Sequence, residues 1–251
     1  MIEFNLRDKV AIVTGSSGGI GKAIAIGLAE AGADIVCVAR RNCADTIREI
    51  EQLGRKAINI SADLTKLDAV EEIVSTTLQK FGKINILVND AGTIRREDAL
   101  NFTEQDWDDV LNLNLKTLFF LSQRVANVFV EQKSGGKIIN IASMLSYQGG
   151  IRVVSYTASK SGVMGITKTL ANEWAKYGIN VNAIAPGYVC TDNTEALRND
   201  EKRYKEILYR IPAGRWAEPE DMKGTAIFLA GEASNYINGC TIPVDGGWLA
   251  R

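Results

Sequence analysis

A chain of 251 residues, 46% hydrophobic and 24% charged, is long enough to bury a full core and carries no bias toward disorder or a collagen-like repeat. Its formal charge of −1 comes without any run of like charge, which argues against a nucleic-acid partner or an anionic membrane surface. Histidine is absent, so the usual base of hydrolase triads and the commonest zinc ligand are missing, and no metal site is expected.

The N-terminal stretch MIEFNLRDKVAIVTG is acidic early and holds only a five-residue apolar strand. It reads as neither a signal peptide nor a membrane span, and a cytoplasmic protein is expected. That strand, Val10 to Thr14, runs into a glycine-rich turn and a helical pattern from Ile20 to Ala31 that stops at Gly32. The rhythm repeats with a strand at Asp34 to Arg40, a helix near Asp45 to Leu53, a strand at Lys56 to Ser61 and a helix near Leu67 to Phe81. Strands at Ile84 to Val88 and Lys137 to Ala142 follow, separated by one long helical stretch from about Thr103 to Glu131. Strands at Asn180 to Ala185 and Thr241 to Val244, with helices near Ser155 to Lys176 and Glu218 to Gly231, complete the pattern. Cys37, Cys43, Cys190 and Cys240 are scattered without a C-x-x-C pair and read as buried small hydrophobes.

Short apolar runs alternating with helices predict an α/β fold: a doubly wound parallel sheet of about seven strands with helices on both faces. No linker or shift of composition divides residues 1–251, so one Rossmann-type domain is expected. The segment 186–215 interrupts the rhythm with a turn, a polar run and an amphipathic helix at about Asp200 to Arg210. At the carboxyl edge of an open sheet such a segment is expected to act as a substrate-side lid.

Three stretches carry chemistry. TGSSGGIG, with Gly15, Gly19 and Gly21, sits between the first strand and the first helix, where a bare backbone lets a pyrophosphate approach the helix N-terminus. The second strand ends in Arg40 and Arg41, where a Rossmann unit meets the adenosine ribose. Arginine there suits a 2′-phosphate, which leans toward NADP. Ser143 closes a strand at the same carboxyl edge, and Tyr156 and Lys160, four residues apart, share a face of the next helix. A phenol is a poor base near neutral pH unless a nearby cation favours the phenolate, and Lys160 supplies one. Tyr156 can then move a proton while hydride passes between substrate and a nicotinamide, with Ser143 holding the reacting oxygen.

In this order TGSSGGIG, Asp63-Leu64, NDAG (Asn89 to Gly92), Asn114 in NLNLK, Ser143, YTASK and Pro186-Gly187 resemble the short-chain dehydrogenases/reductases over the whole chain. The resemblance implies a catalytic tetrad of Asn114, Ser143, Tyr156 and Lys160, with Asn114 helping to hold a proton-relay water. It implies an NAD(P) site formed by Gly15, Ser17, Gly19, Ile20, Gly21, Arg40, Asp63, Leu64, Asn89, Ala91, Gly92, Tyr156, Lys160, Pro186, Gly187, Val189 and Thr191, with Asp63 near the adenine. It also implies a homotetramer, which the apolar tail Gly239 to Ala250 fits. Where the family generally has two asparagines before Ala-Gly, this chain has Asn89-Asp90, and aspartate cannot donate an amide hydrogen bond.

IRREDAL (94–100), IASMLSYQGGIRV (141–153), NEWAK (172–176), IPAGRW (211–216) and the terminal VDGGWLAR are similar to the branch of that family acting on 2-deoxy-D-gluconate and 2-keto-3-deoxygluconate. The branch leans toward NAD, against the reading of Arg40. A sugar-acid substrate needs a cation for its carboxylate and donors for its hydroxyls. Arg95, Arg96, Gln148, Arg152 and Tyr188 are the candidates, beside Ser143 and Tyr156, with Tyr188 and Trp216 also readable as lid packing. The alternatives are a gluconate 5-dehydrogenase or 3-oxoacyl thioester reductase of the same family and, from another class, a non-catalytic NAD(P)-binding sensor.

Overall fold

The computed structural model describes residues 4–251; residues 1–3, part of the N-terminal stretch read above, lie outside it. Seven strands form one sheet in the order β3-β2-β1-β4-β5-β6-β7, every pairing parallel. They are β1 (Val10–Thr14), β2 (Asp34–Ala39), β3 (Ala57–Ser61), β4 (Ile86–Asn89), β5 (Gly136–Ile141), β6 (Ile179–Pro186) and β7 (Thr241–Val244). The chain winds outward from β1 to β3, then returns to lay β4 beside β1. The reversal opens a crevice at the carboxyl ends of β1 and β4, where such sheets take their ligands.

Alternation along β1 divides the core. Ala11 and Val13 face α1 (Gly19–Glu30), α2 (Ala44–Gln52) and α9 (Lys223–Ala230), joining Ile24, Leu28, Ile50 and Leu229. Val10 and Ile12 face α3 (Asp68–Phe81), α5 (Leu118–Gln132) and α6 (Val154–Trp174), joining Ile73, Val125, Phe129 and Leu170. Because both faces are covered, the inner strands are apolar at nearly every position, and this is why they read as unbroken runs in the sequence. The edge strands β3 and β7 are more open.

The predicted long helix from Thr103 to Glu131 is three pieces. Thr103 caps α4 (Glu104–Leu111) by accepting the N–H of Asp106, a π-helical turn spans Asn112–Thr117, and α5 follows. The wide turn accompanies a buried Asn114 side chain that bonds outside its own helix. Residues 186–215 hold more helix than expected, since α7 (Glu195–Asn199) precedes α8 (Glu201–Arg210). Beneath them Met144, Ile207, Ile211, Trp216 and Trp248 form an apolar cluster separate from both sheet cores. Cys37 and Cys43 are buried as expected, Cys190 is half-buried, and Cys240 is exposed, which corrects the reading of all four as core residues. Among the described residues no helix is long and apolar enough to cross a membrane, and no acidic, cysteine or histidine cluster could hold a metal.

Candidate active site

A cavity of about 600 Å³ runs along the carboxyl ends of the strands. Its floor begins at the β1–α1 turn. The Thr14 hydroxyl donates to the Val88 carbonyl (3.3 Å) and accepts the N–H groups of Asp90 and Ala91 (3.0 Å each), which locks the ends of β1 and β4 together. Gly15 has φ +75°, and a Cβ there would stand 2.8 Å from the Asp90 carboxylate. A Cβ on Gly21 would stand 2.5 Å from the Gly15 carbonyl oxygen, so this turn tolerates only bare backbone.

Of the predicted cofactor residues, all but Gly21 and Asn89 line this cavity. Gly21 lies just behind it, against Gly15. Asn89 is buried, and its amide donates to Ser122 Oγ (3.0 Å) and Asn140 Oδ1 (2.9 Å), while Asn140 donates to Thr167 (3.0 Å). This chain of amides and hydroxyls braces β4, β5 and α6 from within.

At one end of the cavity stand Arg40 and Asp63. Among the described residues the Arg40 guanidinium has no hydrogen-bond or ion-pair partner in the chain. Asp63 accepts the N–H and hydroxyl of Thr65 (3.1 and 2.8 Å), bonds that hold its carboxyl below the usual range. Arg41 reaches Asp192 across the rim at 3.4 Å, an exposed pair of little energetic weight.

Ser143, Tyr156 and Lys160 meet at the other end. Ser143 leaves β5 in extended backbone, and its hydroxyl accepts the N–H of Leu145 (3.1 Å). Lys160 is buried and donates from Nζ to the Ile141 carbonyl (2.6 Å), with Nζ 5.7 Å from the centre of the Tyr156 ring. Burial pushes the Tyr156 hydroxyl up to about 12, and the polar Ser143 hydroxyl beside it works against the rise. Burial pushes Lys160 down to about 8, and the nearby Asp90 carboxylate works against that fall. Asn114 stands off the cavity. Its amide closes a two-point bond with the main chain of Thr93 (2.8 and 2.9 Å) and donates to Ser159 (3.2 Å), which pins the loop after β4 to α6.

The sequence-predicted substrate residues do not converge. Arg95 is committed to Asp109 (2.9 Å) and Asp106 (3.4 Å) on α4. Arg152, in left-handed backbone at φ +62°, pairs with Glu97 and Asp98. Gln148 accepts from Arg210 at 3.3 Å. Tyr188 packs its ring against Trp216 and Trp248 (5.2 and 4.9 Å between centroids), so its packing role is visible directly. Arg96, the neighbour of Arg95, is the candidate arginine whose charge bears on the reacting end. Its field acts on both Tyr156 and Tyr188, and its guanidinium donates to the Asn193 carbonyl (2.8 Å). Consecutive arginines in an irregular loop diverge, and no periodicity in the sequence distinguishes them. Trp248 was also missed in this role: the tail is tied down within its own chain, with Arg210 stacked 4.0 Å above the Trp248 ring.

The bare turn, the free Arg40 and the roughly 600 Å³ cavity that joins them to Ser143, Tyr156 and Lys160 fit a nicotinamide dinucleotide. A family model described as enoyl-(acyl carrier protein) reductase matches residues 15–249. The 2-dehydro-3-deoxy-D-gluconate 5-dehydrogenase of Escherichia coli (strain K12) is 60% identical over 248 residues, covering 99% of this chain and 98% of that one. A structure from Agrobacterium tumefaciens, provisionally named a 2-deoxy-D-gluconate 3-dehydrogenase and holding NADP, superposes with a TM-score of 0.93 at 51% identity over 99% of both chains. A gluconate 5-dehydrogenase from Burkholderia cenocepacia J2315, in complex with NADP and tartrate, gives a TM-score of 0.95 at 37% identity, covering 99% of this chain and 98% of that one.

Proposed function

The chain belongs to the short-chain dehydrogenase/reductase family, and on that premise we propose that it interconverts an alcohol and a ketone at carbon 5 of a hexonate of the 2-dehydro-3-deoxy-D-gluconate type. It is an NAD(P)-dependent oxidoreductase. The observation that carries the reading is the meeting of Ser143, Tyr156 and Lys160 at one end of a cavity whose other end offers Arg40. When bound, the coenzyme supplies the hydride acceptor or donor and, in its oxidised form, a positive charge.

Tyr156 is the proton donor in ketone reduction, because burial keeps its hydroxyl protonated at neutral pH, the state that direction needs. In alcohol oxidation Tyr156 must stand as the phenolate and take the proton of the substrate hydroxyl, a state that nearby positive charge favours. Lys160 provides that charge while it stays protonated, below about pH 8. Ser143, beside Tyr156 and open to the cavity, holds the reacting oxygen. Asn114 acts as a positioning residue by fixing the loop that carries Arg96.

Arg96 takes the substrate carboxylate, being the one candidate arginine whose charge bears on Tyr156 and which is free of any carboxylate partner among the described residues. Arg40 accommodates a 2′-phosphate, which favours NADP over NAD. Residues 186–215 act as the lid of a single domain spanning 1–251, held down through the Arg96 to Asn193 bond and the aromatic cluster under α8. A cytoplasmic location and a homotetramer complete the proposal. Half-exposed Trp107, Phe120 and Val130 on α4 and α5 support the assembly.

The test is nicotinamide absorbance with 2-dehydro-3-deoxy-D-gluconate and its 5-keto partner, with gluconate and with a 3-oxoacyl thioester, each with NAD(H) and NADP(H) separately. Turnover selective for the deoxyhexonate pair supports the reading. Turnover of the thioester or gluconate alone refutes the substrate, and coenzyme binding without turnover of any of them points to a sensor.

A further inference from the structure

Asp90 lines the dinucleotide cavity and takes no part in the proton transfer assigned to Tyr156. Its Oδ2 lies 2.8 and 2.6 Å from the points where Cβ atoms on Gly15 and Gly21 would stand, so the carboxylate is wedged against the glycine turn that makes the cradle. Among the described residues it forms no ion pair. α1 presents the backbone of Gly21, which favours the charged form, and α6 presents Lys160 and Tyr156. The Thr14 hydroxyl of β1 is taken up by the main-chain N–H groups of Asp90 and Ala91. Lys160 is the cation that faces it, yet the ammonium donates to the Ile141 carbonyl. The cradle thus contains a carboxylate that is neither well solvated nor neutralised by a direct bond.

A pyrophosphate brought into the same cavity adds negative charge beside that carboxylate, and a like charge always favours the protonated form. Burial has already pushed Asp90 up to about 7 in the free protein, so a small further push changes its state under ordinary conditions. We propose that Asp90 takes up a proton when a nicotinamide dinucleotide binds, so that the complex carries the neutral acid and affinity falls as pH rises. The proposal rests on the dinucleotide reading of the cavity and concerns a residue at which the family usually carries asparagine. By linkage, dinucleotide affinity weakens by at most about tenfold per pH unit while Asp90 is the only group titrating.

Lys160 is the competing source of a proton, since it faces Asp90 and ionises near 8. The two are separated by calorimetric titration of NADP and NAD into the intact protein at pH 6 and pH 7.5, in buffers of different ionisation enthalpy, for the parent and for Asp90→Asn. The heat reports protons taken up per dinucleotide bound, independently of turnover. The expected result is uptake of roughly half a proton or more at pH 7.5 and little at pH 6 in the parent, with the pH 7.5 uptake largely lost in Asp90→Asn. Equal uptake in the variant would assign the proton to Lys160 and overturn the proposal. Binding to the parent without uptake overturns it as well, leaving the dinucleotide site intact. No dinucleotide binding by the parent would overturn the site and the proposal together. Asparagine has the shape of the protonated acid, and thermal unfolding at pH 6 checks that the variant is folded.

Discussion

Gly21→Ala tests how closely the cradle is built. Gly21 has ordinary backbone angles, so the substitution introduces no dihedral strain and its cost is purely one of space. The new methyl would stand 2.5 Å from the Gly15 carbonyl oxygen, 2.7 Å from the Gly15 carbonyl carbon and 2.6 Å from Asp90 Oδ2. None of these can yield cheaply: the Gly15 N–H is bonded to the Val38 carbonyl (2.8 Å), and Asp90 is held through its own N–H by Thr14. Overpacking costs about 1–3 kcal/mol, and contact with fixed backbone puts this case near the top of that range. For a chain of this length that is a fall in melting temperature of about 5–10 °C. If the turn opens to admit the methyl, the same energy appears as a loss of coenzyme affinity of about 10–100-fold. Gly18→Ala is the stability control, because a Cβ there meets nothing within 4 Å. Thermal unfolding of the apo proteins and fluorescence titration with NADPH read both quantities. A Gly21→Ala protein that melts with the parent and binds NADPH within about twofold would refute the reasoning.

Arg40→Ala is expected to raise the Kd for NADP by about 10–100-fold, the worth of charge-assisted bonds to a phosphate, and to leave NAD little changed. Parallel titrations decide it, and equal losses for both coenzymes would remove Arg40 from the 2′ position. Arg96→Gln should lower kcat/KM for the hexonate by about 10–100-fold while sparing a neutral hydroxyketone, and a uniform loss on both substrates would exclude a carboxylate contact. Asp90 also makes stability depend on pH. Its folded-state pKa of about 7 lies above the ordinary 3.8, so the native state binds the extra proton between those values. The stability this provides is complete below about pH 4 and is lost as pH rises through 7. Asp90→Asn should therefore melt close to the parent at pH 4.5 and progressively above it toward pH 8, as followed by circular dichroism; a constant gap would contradict the assigned ionisation.

Strands buried on both faces announce themselves as unbroken apolar runs, which is why β1 falls where the sequence puts it. The carboxyl-edge chemistry was equally legible, because strand ends and helix starts fix where Ser143, Tyr156 and Lys160 must lie. The break at Asn112–Thr117 was not: it is accompanied by Asn114 bonding to Thr93, a contact between segments that helical periodicity does not encode. The same reason explains the substrate arginines. Arg95, Arg96 and Arg152 sit in irregular backbone, and their directions depend on Asp106, Asp109, Glu97 and Asn193, partners supplied by the fold. The NDAG departure was visible as a missing donor, but its electrostatic meaning required knowing that Lys160 faces Asp90 while bonding to Ile141.

The central claim is that Tyr156 moves the proton. Its most direct test is single-turnover oxidation of the 5-hydroxyl hexonate by coenzyme-loaded Tyr156→Phe, followed at the nicotinamide absorbance, with coenzyme Kd measured on the same sample. The account predicts parent-like coenzyme binding and a rate lowered by about 10²–10⁴-fold, the span of general acid/base catalysis. A Phe variant that turns over at the parent rate would contradict it.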